Sequence, residues 1–211
     1  MPILIGEKPG PDFRDPLGLL ADCHRRIEKF LKILGTVTHH VQGARLDAEQ
    51  YQALDVALRY FRESAPKHAA DEEESLFPRM LSNTRNAGEA TSLIKGLDED
   101  HRGLNELHRQ IDDLGRRWLA ADRLTSPELA RFAGLIAEVR EVYARHISQE
   151  ESELYPLAAS LFEADDFEAI AAEMAQRRGL VWRQTQTRTR PRPNDRLLAI
   201  IAPSHGMNRT R

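Results

Sequence analysis

The stretch HAADEEESLFP, residues 68–78, recurs 78 residues later as HISQEESELYP, residues 146–156. Each copy places a His four positions before a Glu, pairing His68 with Glu72 and His146 with Glu150. Side chains four residues apart on an α-helix project from the same face, one turn apart. Each copy therefore predicts a helix that presents a His beside a Glu, and the repetition predicts two such helices facing a shared centre.

Outside these copies, apolar residues recur at the spacing of a buried helix face in four long segments. The first runs from Pro16 to about His40, the second starts near Asp47, the third runs from about Gly88 to Ala121, and the fourth starts near Ser126. Because the connections are short, neighbouring helices should be antiparallel, which predicts an all-α, up-down-up-down four-helix bundle. Pro66 interrupts the second helix, and we expect it to kink that helix without ending it.

Each of the four helices carries one His within its apolar stripe, and two of them also carry a Glu there. A buried, unpaired carboxylate is costly, and neutral imidazoles cannot compensate its charge, whereas metal cations can. These side chains are therefore predicted to be metal ligands: His24, His68, Glu72, His101, His146 and Glu150.

Six ligands exceed what one tetrahedral zinc ion takes. The set fits two metal ions, each held by two His and bridged by both carboxylates, with coordination positions left for water or a small ligand. Imidazole combined with carboxylate suits iron, so the predicted cofactor is a bridged pair of iron ions. Zinc or manganese remains an open alternative.

With these residues the chain resembles the hemerythrin-like family over about residues 16–158. The family's HHE cation-binding pattern is a His, a His-x-x-x-Glu, a second His and a second His-x-x-x-Glu on a four-helix bundle, matched here by His24, His68/Glu72, His101 and His146/Glu150. Oxygen-carrying members use a further His four residues after the third one, where this chain has Asn105. The four-His, two-Glu type is the closer match, and its members are implicated in iron–sulfur repair, nitric-oxide handling and iron sensing.

Three functions stay open on this basis. The centre could bind oxygen, nitric oxide or peroxide reversibly, as a carrier or sensor. It could instead belong to an oxidoreductase that turns over peroxide, oxygen or nitric oxide. In the third reading, iron occupancy reshapes the bundle and a protein partner reads that state.

Residues close to the predicted ligands carry expectations of their own. Glu73 and Glu151 are expected to be solvated or to hold imidazole N–H groups of the ligands, and Glu28, one turn from His24, could do the same. His108 lies two turns beyond His101, too far to share a metal, and is expected to be hydrogen-bonded in the core. Tyr143 is expected to fill the core.

Along the chain, residues 1–14 are expected to form an N-terminal lead, 15–160 the bundle, 161–180 a short accessory helix, and 181–211 a basic tail. The accessory helix is expected over about residues 166–178, with Gly179 at its end. Residues 182–211 hold seven Arg against one acidic residue, and the tail is predicted to be disordered. It could also dock a protein partner or a second copy of the chain.

Composition argues against several other classes of protein. The acidic body gives little reason to expect nucleic-acid binding. No apolar run approaches the roughly 18 residues that span a bilayer, and the first residues lack a signal-peptide pattern, so a cytoplasmic location is expected. A single cysteine, Cys23, excludes an internal disulfide and a multi-cysteine metal site.

Overall fold

The computed structural model describes residues 12–41, 43–83 and 87–182, and every regular element within them is helical. The elements are α1 (Pro16–Val41), α2 (Ala48–Glu63), α3 (Ala65–Asp71), the π-helical turn π1 (Glu72–Leu76), α4 (Phe77–Ser82), α5 (Ala87–Ala121), α6 (Ser126–Gln149), the π-helical turn π2 (Glu150–Leu154), α7 (Tyr155–Leu161) and α8 (Ala164–Arg177). Consecutive elements join into four rods: α1, α2 to α4, α5, and α6 to α7. Both α1 and α5 pack against α2 and α6. This arrangement is a four-helix bundle and confirms the predicted fold class.

Local sequence explains where the rods begin. Asp47 caps α2, because its Oδ1 accepts from the Gln50 backbone N at 2.8 Å while the Gln50 side chain accepts from the Asp47 backbone N at 3.0 Å. This reciprocal pair is a capping box. At α6 the cap is Thr125, one residue before the expected Ser126, and Glu128 accepts from its backbone N at 3.0 Å.

The second rod differs from its prediction at Pro66. The prediction that Pro66 would kink this helix without ending it is wrong, because α2 ends at Glu63 and α3 begins at Ala65. Proline has no backbone N–H, and its ring clashes with the carbonyl four residues earlier. The helix therefore restarts with Pro66 in the first turn of α3, and His68 lies on this short new helix.

The two repeated stretches each contain a π-helical turn that the α-helical spacing did not predict. The backbone N–H of Phe77 donates to the carbonyl of Glu72, and that of Tyr155 donates to the carbonyl of Glu150. A proline follows each aromatic residue. Pro78 and Pro156 lie in the first turn of α4 and α7, where a regular α-helix would bring each ring against the carbonyl four residues earlier. Each predicted ligand Glu consequently opens a π turn.

The apolar core is divided into two clusters, one on each side of a buried polar layer. The larger includes Ile27, Leu58 and Trp118 and the other includes Leu20 and Leu97. His24 lies in α1 between Leu20 of one cluster and Ile27 of the other. The polar layer thus crosses the bundle between two hydrophobic regions that hold its helices in place.

Helix α8 packs on α1, α3 and π1. It begins two residues before the predicted start, and Gly179 after it has the expected positive φ of 69°. The fully buried Asp71 accepts from Arg177 Nη1 at 3.0 Å and from Arg178 Nη2 at 2.6 Å. Since Asp71 precedes Glu72, α8 is attached to the segment that carries a predicted ligand.

Most of the predicted lead and tail, residues 1–11 and 183–211, lies outside the described residues. Among the described helices, none has both the length and the apolar character needed to cross a membrane.

Candidate metal centre

The polar layer consists of the six residues predicted to be ligands, each from a different part of the bundle. They are His24 on α1, His68 on α3, Glu72 at the start of π1, His101 on α5, His146 on α6 and Glu150 at the start of π2. All six are buried, with at most 5% of each residue exposed. They form two groups whose candidate donor atoms lie within 4.8 Å of one another: His24 and His68 with both Glu, and His101 and His146 with both Glu.

Glu150 lies between the two groups. Its Oε2 is 3.0 Å from His24 Nε2 and its Oε1 is 3.0 Å from His146 Nε2. Glu72 Oε2 lies 3.4 Å from His101 Nε2 and 3.7 Å from His68 Nε2. The two carboxylates therefore contact histidines from both groups.

These short contacts test whether the layer fits a metal. Although the Glu150 oxygens lie 3.0 Å from imidazole nitrogens, neither contact has hydrogen-bond geometry, and neither oxygen has another hydrogen-bond partner among the described residues. Glu72 Oε2 and His68 Nε2 are likewise without a hydrogen bond there. His101 Nε2 and His146 Nε2 lie within hydrogen-bond distance of each other, at 3.1 Å. Buried carboxylate oxygens that face imidazoles without hydrogen bonds are expected of ligands arranged around cations. The donor set, imidazole nitrogen with carboxylate oxygen, fits iron.

The second Glu of each motif holds a histidine from another rod. Glu151 Oε1 lies 2.8 Å from His24 Nδ1, and Glu73 Oε1 lies 2.8 Å from His101 Nδ1. Each carboxylate accepts the Nδ1–H, which turns the Nε2 of that ring toward the centre. The expectation that these residues hold imidazole N–H groups is confirmed. Glu28 does not share this role, since it pairs with Arg25 at 3.0 Å.

Burial and charge act in opposite directions on the histidines. Burial lowers the pKa of His68. Burial also opposes the charged form of His101, but the nearby carboxylates of Glu72 and Glu73, the second of which accepts its Nδ1–H, outweigh burial and raise the pKa of His101 to about 10. The pKa of His24 is raised for the same reason, through Glu150, Glu72 and Glu151. Without metal the carboxylates thus attract protons to the layer, and cations must displace those protons to bind.

Sequence reasoning missed the contact that Tyr155 makes with this layer. Its hydroxyl donates to Glu72 Oε1 at 2.7 Å and lies 3.2 Å from His24 Nε2. Phe77 occupies the same position in the other copy of the motif and stacks on His101. The signal was present in the sequence as the one aromatic position where the copies differ, LFP against LYP.

A cavity of about 40 Å³ adjoins the layer on the side of α3, α5 and α6. It is lined by His68, His101 and His146, and by Phe61, Leu104, Asn105, His108 and Tyr143 among others. One water molecule needs about 10–15 Å³ of such volume. The cavity therefore admits a diatomic molecule or a few waters beside three predicted ligands.

His108 and Tyr143 form a polar pair on the wall of this cavity. His108 Nε2 lies 3.0 Å from the Tyr143 hydroxyl, and the imidazole stacks on Phe61. Burial lowers the pKa of His108 from 6.5 to about 4, so the ring is neutral near pH 7. The expectation of a hydrogen-bonded core His is confirmed, and Tyr143 is its buried partner.

Comparison with known proteins agrees with this geometry. The model of the hemerythrin HHE cation binding domain family matches residues 15–158, a range that contains all six residues of the polar layer. A protein of Haemophilus influenzae described as uncharacterized is 24% identical over 166 residues, which cover 79% of this chain and 91% of the relative.

Proposed function

The chain belongs to the hemerythrin HHE cation-binding domain family, a family of metal-binding proteins, and we propose that it holds two iron ions in a carboxylate-bridged centre. The proposed ligands are His24, His68, Glu72, His101, His146 and Glu150. We further propose that the centre binds a small ligand, namely oxygen, nitric oxide or peroxide.

The observation that carries this proposal is the sharing of both carboxylates by two pairs of histidines. Each position would have two imidazole nitrogens and a share of two carboxylates. The negative charge of the carboxylates neutralises part of the positive charge of the metal ions. This lowers the free-energy cost of burying the carboxylates and the ions. Each position is also left with fewer donors than an octahedral ion accepts.

The chain's own residues account for how the ligands are oriented. Glu73 and Glu151 hold the rings of His101 and His24 through hydrogen bonds to Nδ1. The Nε2 atoms of the two histidines therefore face the centre in a single side-chain rotamer. The π turns place Glu72 and Glu150 five residues before Phe77 and Tyr155, whose rings stack on histidines of the layer. Ligands held in this way bind metal more tightly, because less conformational entropy is lost on binding.

The cavity supports a small, uncharged or weakly charged ligand. When bound, a pair of ferrous ions supplies coordination positions and electrons to such a molecule. The walls beside it, Phe61 and Leu104, are apolar, while the His108–Tyr143 pair and Asn105 offer polar groups. A volume of about 40 Å³ suits a ligand of two or three atoms.

A second candidate, iron sensing or iron handling, is favoured by the attachment of α8 to the ligand-bearing segment. Asp71 is bound by Arg177 and Arg178 of α8 and precedes Glu72. A movement of Glu72 on metal release would therefore displace α8, and a protein partner that binds the outer surface of α8 could respond to that displacement.

The experiment mixes anaerobic, iron-loaded, reduced protein with nitric oxide, oxygen or peroxide. A spectrum that appears on mixing and reverses when the gas is removed supports a carrier or sensor. Repeated consumption of peroxide or nitric oxide supports an oxidoreductase. If none of the three ligands changes the spectrum, the proposed ligand binding is wrong, and a large loss of helicity on chelation would then favour iron handling.

A further inference from the structure

The two copies of the repeated motif place an aromatic ring against a histidine of another rod. Phe77 stacks on His101 with ring centroids 6.1 Å apart and an angle of 12° between planes. Tyr155 stacks on His24 at 5.7 Å and 8°. The two rings therefore occupy equivalent positions in the duplicated bundle, and the chemical difference between them is one hydroxyl group.

That hydroxyl lies among atoms proposed to bind one metal. It is 2.7 Å from Glu72 Oε1 and 3.2 Å from His24 Nε2. His24 uses its other nitrogen, Nδ1, for the contact with Glu151, so Nε2 is the atom that faces the centre. Donor atoms about 2.1 Å from one ion, at right angles, lie about 3 Å apart. Both distances from the hydroxyl oxygen are close to that spacing.

We propose that the Tyr155 hydroxyl oxygen is a further metal ligand, bound to the ion held by His24 and His68. The inference rests on the proposed two-iron centre. On binding, the phenol O–H bond breaks, an oxygen–metal bond forms, and the proton leaves to solvent. No electron transfer is involved in this step.

The consequence is that the two metal positions are unequal. Tyr155 adds a fifth donor to the position of His24 and His68, whereas Phe77 offers no donor atom to the position of His101 and His146. The cavity borders His101, His146 and His68 but is not lined by His24. The cavity thus reaches both ligand histidines of the His101 and His146 position but only one of the other, so an external ligand is expected to bind at the position of His101 and His146.

The test uses the full-length protein loaded with iron and oxidised to the ferric state. Phenolate bound to ferric iron gives a charge-transfer band in visible light, and resonance Raman excitation in that band enhances phenolate ring vibrations. We expect both signals in the wild-type protein. Tyr155→Phe should abolish both while iron per chain and helicity stay unchanged. The matched control, Tyr143→Phe, alters a buried tyrosine that hydrogen-bonds His108 instead, and should retain both signals.

Iron analysis separates failure of this proposal from failure of the proposed function. If wild-type protein holds two irons per chain but shows no phenolate vibrations, the proposal that Tyr155 is a ligand is wrong and the proposed metal centre is still supported. The hydroxyl would then only donate a hydrogen bond to Glu72. Phenolate vibrations that persist in Tyr155→Phe overturn the proposal that Tyr155 is a ligand as well. Wild-type protein with under one iron per chain overturns both proposals. The wild-type Raman spectrum decides the question even if Tyr155→Phe fails to fold.

Discussion

Glu73 and Glu151 act on the centre through the histidines they hold, each at 2.8 Å from an Nδ1 atom. Both side chains are partly exposed, and the pKa of each carboxyl is lowered. The pKa of Glu73 is lowered chiefly by its hydrogen bond to His101. Burial acts to raise the pKa of Glu151, but hydrogen bonds to His24 and Arg25 outweigh it. Both carboxyls therefore stay ionised near pH 7 and keep the Nδ1–H bonds in place. At this scale the strength of metal binding depends on residues beyond the proposed ligands.

The double substitution Glu73→Gln with Glu151→Gln should weaken iron binding by about 10–100-fold, the usual effect of losing carboxylates that hold ligand histidines. A chelator-competition titration measures the affinity. Glu153→Gln is the matched control, because Glu153 lies in the same π turn as Glu151 and is exposed. An equal loss in the control, or none in the double variant, would contradict the role given to these carboxylates.

His108 should make the metal-free protein sensitive to acid. Its pKa is lowered by burial from 6.5 to about 4, so the folded state holds the neutral ring. Above pH 6.5 His108 is neutral in both the folded and the unfolded chain and does not lower stability. As pH falls from 6.5 toward 4, the unfolded chain takes up a proton that the folded protein does not, and the free energy of unfolding falls by up to about 3 kcal/mol. Urea unfolding of His108→Gln across this range should show a shallower dependence on pH than wild type. The exposed His39→Gln should behave as wild type, and identical slopes in all three proteins would refute the assignment.

Much at the residue scale could be predicted from sequence, because a His or Glu inside an apolar stripe stands out against its neighbours. The stripes identified the six residues of the polar layer, and adjacency identified Glu73 and Glu151. Tyr155 was missed because it follows Glu150 by five positions, a spacing that does not share a face in an α-helix. Only the π turn, with its five-residue hydrogen bond, brings the two residues to the same layer.

At the scale of elements, α8 and the second rod are joined by a buried ionic cluster. Asp71 is fully buried and accepts hydrogen bonds from Arg177 and Arg178. Arg177 also donates from Nη2 to Ser75 Oγ at 2.8 Å. Arg79 adds a two-bond pair with Glu173 of α8, at 2.8 and 3.0 Å. The periodicity of the sequence predicted that α8 exists but not where it docks, because partners 106 residues apart leave no local pattern.

Replacing both Arg177 and Arg178 with Ala should destabilise the protein by about 3–5 kcal/mol, because the Asp71 carboxylate is left buried without its cations. Urea unfolding of the metal-free protein measures the change. Arg26→Ala, which removes an exposed pair with Asp22 on α1, should cost no more than about 1 kcal/mol.

Adding Asp71→Asn to the double Arg variant should recover part of the lost stability, since it removes the unpaired charge. A double variant as stable as Arg26→Ala, or no recovery with Asp71→Asn, would show that the cluster does not hold α8.

At the scale of the whole molecule, the polar layer between the two apolar clusters contributes least to the stability of the metal-free bundle. Without cations, two carboxylates and four imidazoles share a buried layer in which several polar atoms lack hydrogen-bond partners among the described residues. Bound ions would satisfy those atoms and connect all four rods at once. Metal binding should therefore be visible in the stability of the entire bundle.

Iron at about 1,000 times its dissociation constant should stabilise the bundle by about 4 kcal/mol, which raises Tm by about 10 °C for a chain of this size. Calorimetry with and without a chelator measures the shift. The variant His68→Ala with His146→Ala should show no iron-dependent shift. A wild-type Tm that is independent of iron would mean that the layer does not bind metal in the folded protein.

Metal analysis of anaerobically purified protein determines whether two histidine pairs and two carboxylates hold a pair of iron ions. We expect two irons per chain, and a large loss of bound iron in the double variant His68→Ala with His146→Ala, which removes one ligand from each group. Less than one iron per chain, unchanged by that double substitution, would contradict the proposed two-iron centre.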